Sequence, residues 1–502
     1  MRSSALSFAA ALAAVVLASP TARAADPPEA EKPAAPPPDE AKPPPPPTTP
    51  EYYPRTMSPR LAPPPPPGGF QFGSYGRVGA SIDGRGGPGR NADIVQHGSR
   101  LDESTYVELE LRREDRWDLP GDPDAVTTKV VTTLAIGDPI FHQNGKFDAK
   151  LAVRNLYLEE RGIGSEHVSV WVGSRMYRGD DAYLLDWWPM DSLNTVGGGV
   201  RLSLPSKTEI ALHAGTNRLD DPFQYQTSPR VLPYGVGTTD VAILNRARMI
   251  ESGRIEQLFP GTLGEKGGLK LVLYGEAHQV GSGQHETQPG SYQDLPADHG
   301  YVAGLQFGAF TGEHDGHVNL FLRYATGIAA YGGDFSVPYA VALDHSSKTA
   351  HEAIVAVSGN WESGPFALMG AGYLRSFRTA SAEQFSFYDV DEGIIVLRPH
   401  VYFSERTGVA VEGSYQRQQH GILDPATEKP LTGSLWRFGV MPFLSPAGRG
   451  TYKRPHLRAV WVMTARDDGA KKLYPVDDVF ARRGTEQFFG LQAEWWFNSS
   501  YR

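Results

Sequence analysis

The 502-residue chain contains no cysteine, which excludes disulfide staples and thiolate metal sites. Beyond its first two dozen residues it has no stretch near the roughly 20 apolar residues that a membrane-spanning helix needs. No long window carries helical periodicity, residues 240–257 being the most ambiguous. Neither sign of charge dominates. The formal net charge of -9 argues against nucleic acid as a partner and says little about substrate. Metal-ligand spacings, nucleophile motifs and phosphate loops are also missing, so neither a cofactor nor a catalytic step is expected. Membrane residence therefore falls to β-strands, whose alternation keeps mean hydropathy low.

What is present begins with Arg2, an apolar run from Ala5 to Leu17 and the small-residue site Ala22-Arg23-Ala24. This order predicts a secretory signal over residues 1–24, cleaved after Ala24. Residues 25–69 are dominated by proline, alanine and charge, including Pro44 to Pro47 and Pro63 to Pro67. Such composition favours extended polyproline II and cannot bury a core. It predicts a semi-rigid periplasmic linker, either a passive spacer or a contact with the cell wall.

From Phe70 the texture changes to short alternating runs broken by Gly, Asp, Asn and Pro. Eighteen strands are predicted: 70–82, 106–112, 128–136, 151–159, 168–177, 198–204, 209–216, 240–249 and 269–278, then 301–310, 317–325, 351–357, 366–377, 394–403, 408–416, 434–443, 456–464 and 488–497. Connections are short at 204–207 and long at 137–150, 280–300 and 379–392. Short turns at one rim, long loops at the other and an even strand count predict an all-β fold. The expectation is an 18-stranded antiparallel transmembrane barrel over residues 70–502, with both ends on the periplasmic side.

Alternation assigns the faces. In the last strand Phe489, Leu491, Ala493, Trp495 and Phe497 face lipid, while Gln492, Glu494 and Trp496 face water. At 106–112 the outward residues are Val107, Leu109 and Leu111, leaving Tyr106, Glu108, Glu110 and Arg112 in the lumen. In the first strand Phe70, Phe72, Val78, Ala80 and Ile82 point outward and Tyr75, Arg77 and Ser81 inward. Tyr75, Tyr106 and Trp496 thus stand as aromatics among polar lumen residues. First and last strands are neighbours in a closed barrel, so Tyr75 and Trp496 should lie close. Each is either girdle and filler or part of an aromatic row for a ligand with apolar faces and polar edges, as a sugar ring has.

A second constellation, residues 175–188, holds Arg178, Asp180, Asp181, Asp186, Trp187 and Trp188. So many aromatics and acids after a strand suggest either a charged surface loop or one folded into the lumen to narrow it. The paired acids would also suit a divalent cation or acid–base work, but no motif supports either.

With these residues in place the chain resembles the maltoporin family of sugar-specific outer-membrane porins. The resemblance runs from Phe70 to Phe497 through Phe72-Gly73-Ser74-Tyr75-Gly76-Arg77, Ser99-Arg100-Leu101-Asp102-Glu103, Thr105-Tyr106-Val107-Glu108-Leu109 and Arg154-Asn155-Leu156-Tyr157. It continues through Trp171-Val172-Gly173-Ser174-Arg175 into Asp186-Trp187-Trp188, then Arg323-Tyr324-Ala325-Thr326-Gly327, Arg398-Pro399, Arg454-Pro455 and Phe489-Gly490-Leu491-Gln492-Ala493-Glu494. It implies a homotrimer whose third loop folds inward, with sugars moving along an aromatic slide beside polar tracks. On that resemblance Tyr75, Tyr106 and Trp496 match slide aromatics, and Trp188 sits where the family has a constriction tyrosine. Arg77, Arg100, Glu108, Arg154, Arg178 and Asp186 match the polar tracks, with either Asp180 or Asp181.

The chain also departs from the pattern. Glu392 stands near one slide tryptophan, with Phe387 and Tyr388 the nearest aromatics. Ala303 stands near a slide phenylalanine, with Tyr301 as a substitute on the same face. Phe141 or Phe147 would be the aromatic lent by a neighbouring subunit, and a tail containing Tyr501 follows Phe497. The expectation is a carbohydrate-selective porin of a Gram-negative outer membrane that passes maltodextrin-like oligosaccharides without catalysis. The alternatives are a general or anion-preferring porin on the same barrel, or a structural tether between outer membrane and cell wall.

Overall fold

The computed structural model describes residues 69–118, 126–137, 141, 150–217, 225–231, 238–244, 246–288, 290–311, 316–332 and 340–498. The predicted signal and linker, Phe147 and Tyr501 lie outside them, apart from Gly69. The strands are β1 (Gly69–Asp83), β2 (Tyr106–Trp117), β3 (Val126–Gly137), β4 (Lys150–Arg161), β5 (Val168–Arg178), β6 (Ser192–Ser203) and β7 (Thr208–Asn217). Next come β8 (Tyr225–Val231), β9 (Thr238–Leu244), β10 (Arg248–Pro260), β11 (Gly268–Val280), β12 (Gly283–Gln288), β13 (Ser291–Leu295), β14 (Asp298–Phe310) and β15 (His317–Gly327). The last are β16 (His351–Ser363), β17 (Phe366–Arg378), β18 (Val390–Tyr402), β19 (Thr407–Leu423), β20 (Pro430–Leu444), β21 (His456–Arg466) and β22 (Thr485–Phe497).

Eighteen of these form one antiparallel sheet, β1–β7, β10, β11 and β14–β22, and pairing of β22 with β1 closes it into a barrel. The other four, β8, β9, β12 and β13, make a separate four-stranded sheet. Here the sequence reading needs correction. The predicted strand at 240–249 straddles two elements, with 240–244 in β9 outside the barrel and only 248–249 in β10, which is the eighth barrel strand. The segment 280–300 holds the β12–β13 hairpin rather than a plain loop. Period-two patterning detects extended chain but not which sheet it joins, and the break near Arg246 is too short to show in composition.

The alternation that predicted the barrel is the alternation that builds it. In β2, Leu109 and Leu111 are 37% and 57% exposed on the outside, while Glu108 and Glu110 are 3% and 1% exposed inside. Phe70, Phe72, Leu212, Leu273, Leu374 and Ile395 extend the exposed apolar surface around the wall, as a lipid-facing band requires. At the seam, Tyr75 pairs with Trp496 and Arg77 with Glu494. The Trp495 ring lies across Gly76, where any added Cβ would come within 2.2 Å of it. Both barrel ends sit at the rim of the short turns, such as residues 364–365 and 403–406.

Two segments from the opposite rim fold inward. The third loop, residues 179–191, carries a 3-10 turn at Tyr183–Leu185 that ends on Asp186 in the left-handed region (φ 47°), a conformation aspartate tolerates. Its residues Ala182, Tyr183, Leu184 and Leu185 are buried. The first loop, residues 84–105, also enters the lumen, with Ile94, Val95, Ser99 and Arg100 buried.

Candidate functional site

The seam of the barrel gathers most of the residues that sequence singled out. β1 carries Tyr75 and Arg77, β2 carries Tyr106 and Glu108 and β22 carries Trp496, all at lumen parity, while Arg154 of β4 sits at a register shift and reaches the same group. Arg77 Nη1 donates to the Tyr75 hydroxyl at 2.8 Å and lies 3.5 Å from Asp186. Arg100, from the first loop, donates to the same hydroxyl at 2.7 Å. Tyr106 donates to Glu108 at 2.5 Å, and Arg154 pairs with Glu108 at 2.6 Å while contacting the Tyr106 hydroxyl. The Tyr75 and Tyr106 rings are 6.0 Å apart.

The three aromatics are not laid out as a bare row. Tyr75 is 2% exposed and Trp496 7%, because the inward loops and Arg454 fold over them. The Arg454 guanidinium sits 4.2 Å above the Trp496 ring, and Tyr183 of the third loop meets that ring edge-on at 6.0 Å. Tyr106 is partly accessible. Trp188 lies elsewhere, on the third loop, with the Arg178 guanidinium 3.7 Å over its ring.

The acids of the third loop do not converge. Asp186 faces Arg77 and Arg100 on the seam side. Asp180 crosses to the other wall, where it pairs with Lys270 and accepts from Gln306. Burial would raise its carboxyl, but Lys270 and Arg254 outweigh burial and hold it at about 2. The Asp181 carbonyl accepts from Ser358 at 3.3 Å. Asp191, at the loop's far end, pairs with Arg254 at 2.7 Å.

Several residues that organise the lumen were not singled out as site residues from the sequence. Glu494 is 0% exposed and accepts from Arg454 Nε at 2.8 Å, Arg458 Nη1 at 3.0 Å, Arg100 Nη2 at 3.1 Å and the Tyr183 hydroxyl at 3.2 Å. One carboxylate thus ties the first loop, the third loop, the β20–β21 connection and β21. The first loop is clasped on its other side by Arg437, which pairs with Asp93 at 2.6 Å and also with Asp102. Gln416 Oε1 and Glu392 accept from the backbone of Ile94 and Gln96. Burial and the Asp93 charge push the Asp102 carboxyl up to about 6 against the pull of Arg437.

Where the tips of the two loops meet, His97 stacks on Trp187 at 4.5 Å, and Trp187 packs against Tyr373 at 5.0 Å. Burial, with Arg375 and Arg323 nearby, lowers the His97 imidazole to about 3, so it is neutral. Above this aromatic floor, toward the long-loop rim, opens a cavity of about 720 Å³. Glu392 lines it, accepting from Tyr373 at 3.1 Å and Gln418 at 2.8 Å. Phe387 and Tyr388 line it as well.

Tyr301 and Ala303 are a correction: both are exposed on the outer face, because Val302 and Gln306 hold the inward positions of β14. Phe141 is 50% exposed.

The LamB porin family's sequence model matches residues 70–497. A search of curated proteins finds no match. Among solved structures, OccAB1 of Acinetobacter baumannii shares 11% identity over 85% of this chain and 96% of its own, with a TM-score of 0.43. OccK2 (OpdF) of Pseudomonas aeruginosa, in complex with glucuronate, shares 12% over 85% and 98%, with a TM-score of 0.41. OpdK of Pseudomonas aeruginosa, with vanillate, shares 11% over 85% and 98%, with a TM-score of 0.40.

Proposed function

Because the chain belongs to the LamB porin family, we propose that it is a carbohydrate-selective channel through which short oligosaccharides of maltodextrin type diffuse passively across a Gram-negative outer membrane. The observation that carries this reading is the composition of the constriction. Tyr183, Trp187 and Trp188 stand on the inward third loop, and the seam carries Tyr106, Arg77, Arg154 and Glu108. Aromatic surface beside paired charges suits sugar rings, whose hydroxyls exchange hydrogen bonds while their faces stack. Tyr75 and Trp496 enter that path when a solute displaces the guanidiniums above them. Residues 1–24 act as the export signal, 25–69 as the periplasmic linker, and three copies assemble in the membrane. No step of the passage makes or breaks a covalent bond.

A general or anion-preferring pore is the second reading, since Arg77, Arg100, Arg154, Arg454 and Arg458 crowd the seam. Each of these guanidiniums rests on a carboxylate, Glu103, Glu108, Asp186 or Glu494, which favours the sugar reading. Liposome swelling tests it. Maltotriose should enter faster than an uncharged non-sugar of equal size, and Tyr106→Ala should reduce that advantage. Equal rates in the unaltered protein refute sugar selectivity, and a reversal potential set by chloride in a salt gradient would install the anion reading.

A further inference from the structure

We propose that the cavity above the constriction is a binding station of its own, and that it takes short amine-bearing sugars ahead of neutral ones and acidic sugars last. The inference rests on the sugar-porin reading and specifies the solute class. Five strands of this wall each place one long charged side chain on the cavity, Glu276 from β11 and, across the intervening β14, Arg323 from β15, Glu352 from β16, Arg375 from β17 and Glu392 from β18. They alternate in sign along the wall. Arg323 and Arg375 both bind Glu352, Arg375 at 2.5 Å, and Arg375 continues to Glu392 at 3.4 Å.

The row ends on an acid held by neutral groups. The Tyr274 hydroxyl donates to Glu276 at 2.5 Å, and His278 Nε2 lies 2.5 Å from its other oxygen. His278 Nδ1 sits 2.8 Å from Arg248 Nη2. A guanidinium only donates, so Nδ1 accepts, Nε2 carries the proton and the ring is neutral. Asp93 lines the cavity too but is paired with Arg437, so three carboxylates stand against two guanidiniums there. The floor of Trp187 and His97 and the rings of Tyr331, Phe387 and Tyr388 supply π-faces that attract cations as well as sugar faces. The volume, about 720 Å³, falls within the roughly 300–1,000 Å³ of small-molecule sites.

The experiment is single-channel blockade of the full-length protein in planar bilayers, with sugar added on the long-loop side. The probes are the trimers of glucosamine, glucose (maltotriose) and galacturonate, at about 0.1 M and about 1 M salt. The expected order of blocking is glucosamine, then maltotriose, then galacturonate, with about tenfold between the first two at low salt and little difference at high salt. Glu276→Gln should lower the ratio of glucosamine-trimer to maltotriose blocking by severalfold. Equal blocking by the three trimers at low salt, or galacturonate first, overturns the cation preference while leaving a sugar pore standing. Absence of block by any of them removes the sugar reading and the station together. The charge series on the unaltered protein decides the matter even if the variant fails to assemble.

Discussion

Glu494→Gln is the most informative single change. The carboxylate is fully buried and holds three guanidiniums and one phenol, at 2.8, 3.0, 3.1 and 3.2 Å. The glutamine keeps the shape but loses the charge, and its amide hydrogens turn toward donors that accept nothing. Breaking a buried ion pair by removing one partner costs about 3–5 kcal/mol, because the remaining charges stay buried. The barrel hydrogen bonds do not depend on Glu494, so the loss falls on the loops that it anchors. Arg100 and Tyr183 let go, while Asp93 and Asp180 keep the far ends of the two loops attached. A loss of about 3 kcal/mol makes the detached state roughly a hundredfold more populated. Single-channel recordings should therefore show transient steps to a higher conductance that the unaltered pore lacks, and the size limit for sugars should rise. Heat unfolding in detergent is the control, since the wall itself should survive. A steady trace at the original conductance would refute the reasoning and show that the other contacts suffice.

Asp180→Asn leaves the buried Lys270 ammonium against an amide and should cost about 3–5 kcal/mol, read as a lower unfolding temperature; replacing both residues with apolar ones of similar volume should recover most of it. Asp102 gives a pH dependence. Its carboxyl titrates at about 6 in the folded protein instead of 3.8, so its contribution is fully present below about pH 4 and is lost as pH rises through about 6. Thermal midpoints measured at about pH 4.5 and pH 7 should show that fall, and Asp102→Asn should flatten it; an unchanged slope in the variant removes Asp102 as its source. Gly197→Ala should hinder assembly, because its Cβ would lie 2.0 Å from the Ala214 carbonyl oxygen of the next strand; a normally folded yield would contradict the close approach.

The barrel was legible because lipid outside and water inside impose one rule on every strand, and period-two alternation reports that rule residue by residue. Seventeen of the eighteen predicted segments lie mainly on barrel strands on that basis, and Tyr75, Tyr106 and Trp496 fell on the lumen face without any knowledge of pairing. The exception, 240–249, shows the limit: alternation carries no information about which neighbour a strand will choose. The same limit hid the station above the constriction. Glu276, Arg323, Glu352, Arg375 and Glu392 each look like one lumen charge on one strand, and only the register of the six barrel strands from β11 to β18 reveals a row. Glu494 stood in plain view at lumen parity, but its importance comes from Arg100 and Tyr183, which lie on loops nearly 400 and more than 300 residues away in sequence.

The two inward loops also brace each other, which bears on how rigid the constriction is. The Arg100 amide donates to the Leu184 carbonyl at 3.2 Å, the Arg100 guanidinium stands 4.5 Å over the Tyr183 ring, and His97 stacks on Trp187. Beyond those shared contacts the first loop is fastened to β18, β19 and β20, through Glu392, Gln416 and Arg437. The third loop is fastened to β10, β11 and β14, through Arg254, Lys270 and Gln306. Glu494, on the seam, holds both. The anchors therefore pull from three sides of the wall, and no single loop can swing aside without breaking charged contacts of both. A gate made from one loop alone is mechanically disfavoured in this arrangement. Solutes must instead thread a fixed opening, and discrimination among them falls to the side chains that line it.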